Sequence, residues 1–258
     1  MRKITMYVLV LLMALILVAC SQSEVPQKGA KGPEMEGAIL TAKIMDIEDT
    51  SLLLIKVGED AKFGDIFRIG TGNVDIISES GTGADTAALK SGMLIEVAYN
   101  GLIQESSPMG LGGVKAITIK EQAEDIVGLY KKVIDDLYNT DPGLNSEINI
   151  LAFDLTKVSN ITEAEKSALI YMVGNQSGLA TIMSTFEELT DQGYIDKEKL
   201  YFEDGLLFSI EDTAIAGNKF TFNAQKWRSG LGAYFFHECT AKKSKTSWDY
   251  TVGAHMIS

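Results

Sequence analysis

The hydrophobic positions of this chain change their spacing four times along the sequence. Ile4–Val18 is an unbroken apolar run behind Arg2 and Lys3. A run this short, following a basic head, predicts a secretory signal rather than a membrane-spanning helix. The next stretch, SQSEVPQKGAKGPEME at residues 21–36, has no apolar periodicity and is rich in Ser, Gln, Gly, Pro and Lys, which predicts a flexible tether.

Residues 37–120 contain short β-branched runs separated by Gly, Asp, Asn and Ser, a pattern typical of strands. The runs are GAILTAKIMDI, TSLLLIKV, DIFRIG, NVDII, MLIEVAYNGLI and GVKAITI. Six short strands are too few for a large sandwich. We therefore expect a small closed all-β barrel with an OB-like fold.

From residue 121 the spacing becomes helical and then returns to alternation. Apolar residues recur with helical spacing from Ala123 to Tyr138, and Asp141-Pro142-Gly143 ends that segment. Capping-box patterns that begin at Thr162 and Ser184 predict two further helices. Alternating segments at about 201–212, 219–227, 233–241 and 248–257 then predict an antiparallel meander.

These patterns predict two domains, an OB-like barrel at residues 37–120 and an α+β domain at residues 121–258. In the second domain we expect helices packed on a four-stranded antiparallel sheet, because the helices come first and the long sheet last. A curved sheet that wraps helices, as in NTF2-like cones, is a fold analogy and implies no function.

The end of the apolar run resembles the lipobox of bacterial lipoproteins. Leu17-Val18-Ala19-Cys20 provides an aliphatic residue, a tolerant position, a small residue and the cysteine. The resemblance implies a signal peptide at residues 1–19, cleavage before Cys20, a diacylglyceryl group on its thiol and acylation, such as by palmitate, of its new amino group. Two or three chains, at ~0.8 kcal/mol per buried CH₂, hold a protein durably on a membrane. Residues 20–36 are then a lipid-anchored tether on the extracytoplasmic face of a cell membrane of Gram-positive type.

A second resemblance covers residues 92–119, GMLIEVAYNGLIQESSPMGLGGVKAITI. A Gly-led strand, a Tyr-x-Gly turn, a Glu-Ser-x-Pro loop and a closing strand follow one another in this segment. The residues that carry the pattern are Gly92, Tyr99, Gly101, Glu105, Ser106 and Pro108. The segment is similar to the terminal part of the YobA-like domain of unknown function in Gram-positive lipoproteins. The resemblance implies a small β-barrel in an exported protein, and it implies no activity.

The charge balance of the chain limits the classes of partner that it can bind. The chain has 23 basic and 35 acidic residues, a net charge of −12. Removal of residues 1–19 takes away Arg2 and Lys3 and no acid, which lowers the net charge to −14. Such a surface is repelled by nucleic acids and anionic lipids. We therefore expect no nucleic-acid partner, and membrane attachment through Cys20 alone.

Candidate chemistry is concentrated in KWRSGLGAYFFHEC, Lys226 to Cys239. In a regular strand His237 and Cys239 share one face, with Cα atoms about 6.5–7 Å apart, too far for an efficient dyad. Their apolar neighbours predict that both face the core. No other residues have the spacing of a catalytic, cofactor or metal site, so none is predicted.

Trp227 and Arg228, close to Gly230 and Gly232, are the candidate ligand-binding residues. A tryptophan and an arginine beside Gly-rich backbone provide a stacking or carboxylate-binding site. The alternative is a bulge or bend at which the tryptophan packs.

The function expected from these observations is that of a membrane-anchored lipoprotein acting as a non-enzymatic binding or interaction module at the cell surface. Its partner is then an unidentified protein or envelope ligand. Two alternatives stay open: a hydrolase of envelope or extracellular polymer that uses paired carboxylates, and an accessory subunit of a transporter or envelope complex.

Overall fold

The computed structural model describes residues 37–121, 124–245 and 247–258. The predicted signal peptide, Cys20 and the tether therefore lie outside the described residues. Two nine-stranded sheets, three α-helices and two short 3₁₀ turns (86–88 and 142–145) make up the described part. None of its helices combines the length and apolar character needed to cross a membrane.

The first sheet contains nine strands between residues 38 and 121. Their bounds are β1 Ala38–Glu48, β2 Ser51–Lys56, β3 Ile66–Gly70, β4 Asp75–Ile77, β5 Gly83–Ala84, β6 Leu94–Tyr99, β7 Ile103–Gln104, β8 Met109–Leu111 and β9 Ala116–Glu121. The strand order is β5-β4-β9-β6-β1-β2-β3-β8-β7. The pairs β3–β8 and β4–β9 are parallel, and the other neighbours are antiparallel.

This sheet is strongly curved. β8 and β9 are five pairings apart in the strand order, which corresponds to roughly 24 Å across a flat sheet. Residues 112–115 alone connect them, and so short a link spans at most about 17 Å. The sheet therefore curls, and it encloses an apolar cluster that includes Ile44, Leu54, Ile95, Val97 and Ile117.

The remaining elements build the second sheet and its helices. The helices are α1 Ile126–Asn139, α2 Glu163–Ser177 and α3 Phe186–Asp191. The strands are β10 Ile150–Lys157, β11 Ala180–Met183, β12 Ile195–Asp196, β13 Tyr201–Phe202, β14 Gly205–Asp212, β15 Lys219–Ser229, β16 Gly232–Ser244, β17 Ser247–Thr251 and β18 Ala254–Ile257. β10 pairs in parallel with β11 and with β14, whereas β14, β15 and β16 are antiparallel and β16 also pairs with β17 and β18.

The predicted fold class is wrong in both halves. The first half is a nine-stranded mixed sheet whose strand order is linear, with β5 and β7 at its ends, rather than a closed six-stranded barrel. The second half is not an α+β domain on a four-stranded antiparallel sheet, because its sheet has nine strands and includes parallel pairs. Strands of two to four residues, such as β11, β12 and β13, are too short to show a period of two. The NTF2-like analogy depended on the four-stranded sheet and falls with it.

Helix α2 lies between the two sheets. Nine of its fifteen residues are buried, and they do not follow a single stripe. It contacts β1, β2 and β3 of the first sheet, β10 and β11 of the second, and α1. One hydrophobic cluster accordingly joins Met45, Leu53 and Ile55 to the helices and the second sheet. The core thus crosses the boundary predicted between residues 120 and 121.

Polar side chains fix α2 against the first sheet. Lys43 Nζ lies 2.7 Å from Glu165 Oε1, and the two side chains are 13% and 9% exposed. The other Glu165 oxygen accepts from the Thr162 backbone N–H at 2.8 Å, completing a capping box at the start of α2. Arg68 of β3 donates to Glu48 at 2.6 Å and to the Tyr171 hydroxyl of α2 at 3.3 Å.

We expect Lys43→Met to lower the free energy of unfolding by about 3 kcal/mol, because it leaves the buried Glu165 carboxylate without its cation. Lys120→Met is the matched control, since the Lys120–Glu96 pair is 48% and 36% exposed and its loss costs less than about 1 kcal/mol. Urea denaturation of the full chain measures both. Equal losses would contradict the importance of the ion pair between β1 and α2.

Candidate functional site

An open groove of about 670 Å³ runs over the face of the second sheet that points away from α1 and α2. Side chains of β10, β14, β15 and β16 form its floor, and the start of α3 forms part of its wall. Successive side chains of β14 point to opposite faces of the sheet, so they alternate between the core and the groove. Phe208 packs in the core with the helices, whereas Leu207 and Ser209 line the groove.

The strand pairings arrange the floor in three ranks, each of which crosses the sheet. We call them the apolar, polar and charged ranks. The apolar rank is Ala152, Leu207, Trp227 and Ala233, of which Leu207 and Trp227 line the groove. The polar rank is Asp154, Ser209, Gln225 and Phe235. The charged rank is Lys157, Glu211 and Asn223.

Trp227 is the largest side chain of the apolar rank, and it is half-buried. Its ring meets that of Phe186, the first residue of α3, edge to face with the centroids 5.1 Å apart. Thr185 begins α3 by accepting from the Glu188 N–H at 3.2 Å, in a capping box. Beneath α3, Leu189 packs with Leu207 in a separate buried cluster on this side of the sheet. The helix therefore holds Trp227 in a fixed orientation.

The charged rank is tied together internally. Asn223 Nδ2 donates to Glu211 Oε1 at 3.1 Å, and Lys157 Nζ lies 3.4 Å from Glu211 Oε2. The Asn223 hydrogen bond, followed by that from Lys157, lowers the pKa of Glu211. Glu211 is therefore ionised at neutral pH, which suits it to accepting hydrogen bonds and not to general-acid catalysis.

The polar rank leaves hydrogen-bonding groups free. Asp154 Oδ1 accepts from the Thr156 N–H at 3.1 Å and from its hydroxyl at 2.6 Å, which fixes the carboxylate. The Ser209 hydroxyl and the Gln225 amide have no hydrogen-bond partner within residues 37–121, 124–245 and 247–258. The middle of the groove therefore offers a hydroxyl, an amide and a carboxylate oxygen to a ligand.

A β-bulge in β16 decides which side chains reach the groove. His237 and Glu238 together stand opposite Asn223, Glu238 has φ of 51°, and its N–H donates to Asn223 Oδ1 at 2.9 Å. Gly253 approaches this bulge closely, since a Cβ there would lie 2.8 Å from the Glu238 carbonyl oxygen. The extra residue shifts the alternation by one position.

The bulge separates the two residues that sequence analysis placed on one face. Cys239 is fully buried, which confirms its predicted core position, and burial raises the pKa of its thiol to about 11. The prediction that His237 also faces the core is wrong, because His237 lies half-exposed in the groove beside Phe235. The sequence signal for the bulge is weak, since it consists of Asn223 and Gly253 on neighbouring segments.

The structure places the two candidate ligand-binding residues on opposite faces of β15. Trp227 lines the groove, whereas the Arg228 guanidinium donates to the backbone carbonyls of Leu144 at 2.8 Å, Ser146 at 2.6 Å and Glu203 at 3.0 Å. Arg228 also lies over the Tyr201 ring at 5.7 Å. Arg228 and Trp227 therefore do not form one site. The groove residues that sequence analysis missed, Ser209 and Gln225, share the alternation of Trp227 but not its chemical distinctiveness.

Lys226, which precedes Trp227 and shares the face of Arg228, is fully buried. Its ammonium donates to the carbonyls of Tyr138, Thr140 and Asp141 and to Asn145 Oδ1, at the C-terminal end of α1. Carbonyl oxygens at a helix C-terminus favour a cation. Burial nevertheless lowers the pKa of Lys226 to about 8.

Neither family models nor curated proteins give a match to this chain. The lipobox and YobA-like resemblances therefore stay predictions. Within the described ranges, no three His, Cys, Asp or Glu side chains gather closely enough to hold a metal ion.

Stability should depend on pH through Lys226. Because the pKa of Lys226 is lower in the folded chain than its ordinary value of 10.5, the unfolded chain binds more protons between pH 8 and 10.5. The free energy of unfolding therefore rises with pH in this window. Subtracting the pH profile of Lys226→Met removes the contributions of the other titrating groups. In this difference, we expect the free energy of unfolding to rise by about 2 kcal/mol between pH 7.5 and 9.5. Urea denaturation of both chains at each pH measures this difference. Parallel pH profiles would show that Lys226 is not a buried ammonium with a lowered pKa.

Proposed function

We propose that this protein is a membrane-anchored, extracytoplasmic lipoprotein and that it binds an envelope or extracellular ligand in the groove without catalysing a reaction. The observation that carries the binding function is the polar rank. Asp154 is fixed, and the Ser209 hydroxyl and Gln225 amide face solvent beside the oriented ring of Trp227. Concave surfaces that combine an aromatic side chain with a few placed polar groups are typical of ligand sites.

The charged rank favours binding over hydrolysis. A hydrolase that uses paired carboxylates needs one of them protonated at neutral pH to act as the acid. Asp154 and Glu211 lie on neighbouring strands, but the hydrogen bond from Asn223, followed by that from Lys157, holds the pKa of Glu211 below its usual range. This carboxylate therefore suits recognition of donors on a ligand.

The anchor is supported by the lipobox at residues 17–20, preceded by the basic head and the apolar run. Attachment by acyl chains also agrees with the acidic net charge, because a surface of −14 gains nothing from anionic lipid headgroups. The ligand met by such a protein belongs to the envelope or to the surroundings of the cell.

The anchor is tested by Cys20→Ala in cells fed an alkyne-labelled fatty acid. We expect the wild-type chain to carry label and sediment with membranes, and the variant to lose both the label and the sedimentation, because the acyl acceptor is gone. Cys239→Ala is the matched control and should keep both, since that thiol is buried. A Cys20→Ala chain that still carries label would exclude this anchor.

The groove is tested by retention of the purified full chain, in detergent, on isolated cell envelopes. Trp227→Ala and Gln225→Ala should each weaken retention by about tenfold, because each removes a contact group from the groove floor. Lys219→Ala on the same strand is the control, because Lys219 is exposed and lies outside the groove. Unchanged retention of both variants, with unfolding midpoints equal to wild type, rejects the groove as the binding site.

A further inference from the structure

We infer that the ligand of the groove is a neutral, linear carbohydrate chain that lies across the strands along the polar rank. This inference rests on the proposed binding function, and it adds the chemical class of the ligand.

Charge in the groove argues against anionic polymers. Asp154, Glu187 and Glu211 line it together with Lys157, and Lys157 is already engaged by Glu211. Two further carboxylates are left without a neighbouring cation in the groove, in a chain of net charge −12. Phosphate-bearing polymers and acidic peptides are repelled by such a surface. The occupant is therefore neutral or cationic.

The side chains of the polar and apolar ranks match the two surfaces of a sugar. A sugar ring has apolar C–H faces and a periphery of hydroxyl groups, each of which both donates and accepts. The rings of Trp227 and Phe235 offer flat apolar surface to the faces. At the periphery, Gln225 both donates and accepts, Ser209 does the same, and the second oxygen of Asp154 accepts. Few ligand classes use all of these groups together.

The dimensions favour a chain over a single sugar. From Asp154 on β10 to Phe235 on β16 the polar rank crosses three strand intervals, or about 14 Å. Continuous contact over this length requires several rings in succession.

A cationic peptide fits the geometry less well. Sheets recognise extended peptides mainly by pairing with an edge strand, where backbone groups are free. The groups of the polar rank lie instead on the face of central strands whose backbones are already paired on both sides. Only side chains are offered there, and three of the four members of the rank are uncharged.

The experiment uses fluorescence of the full chain in detergent, in a Trp248→Phe background that leaves Trp227 as the reporter. The probes are hexa-N-acetylchitohexaose and cellohexaose as neutral linear glycans, octalysine as a cationic peptide and polyphosphate as a polyanion. We expect saturable binding of at least one hexasaccharide, observed as a change in Trp227 emission, and no binding of polyphosphate. Gln225→Ala and Asp154→Asn should each weaken the affinity for the hexasaccharide by about tenfold. Lys219→Ala should leave this affinity unchanged.

Each other outcome is decisive. If neither hexasaccharide binds but octalysine does, and Gln225→Ala weakens it, the groove is a binding site and the carbohydrate class is wrong. If a hexasaccharide binds with equal affinity to wild type, Gln225→Ala and Asp154→Asn, the polar rank is not its site. If no probe binds while the envelopes still retain the chain through Trp227, the inference fails and the proposed function stands.

Discussion

The arrangement of this molecule depends on a helix that is buried on both sides. Helix α2 packs against the curved first sheet on one side and the second sheet on the other, so a polar side chain at one of its buried positions needs a partner. Lys43, offered by β1, neutralises Glu165 at its first turn. The same glutamate caps the helix. One carboxylate thus fixes both where α2 begins and how it is oriented against the first sheet.

Because α1 and α2 cover one face of the second sheet and α3 covers only part of the other, side chains between α3 and β16 remain open in the groove. Trp227 could be singled out from the sequence, since tryptophan near Gly-rich backbone is unusual. Ser209 and Gln225 could not, because an isolated serine or glutamine in an alternating segment resembles any solvent-facing strand position. Their significance comes from the pairing of β14 with β15, which places them side by side.

Local patterns predicted much of the secondary structure, and tertiary pairing decided the rest. All six β-branched runs of the first half contain strands, and the capping box at Thr162 begins α2 as expected. The second sheet was underestimated because parallel pairing of β10 with β14 joins segments about fifty residues apart, and no local period records such a pairing. β2 illustrates the same limit. Its four consecutive buried residues, Leu52 to Ile55, resemble the interior of a closed barrel, but Leu53 and Ile55 are buried because they pack against α2 and its neighbours.

Strand β15 carries Lys226, Trp227 and Arg228 in succession, and the outer two are bound to backbone carbonyls on the helix side. A slip of one residue would push an indole among those carbonyls and expose both cations. The buried charges of Lys226 and Arg228 therefore fix the register of β15, whichever side chains face the groove. Substitutions at Gln225 and Trp227 can consequently change the chemistry of the proposed ligand surface while the alignment of β15 is preserved.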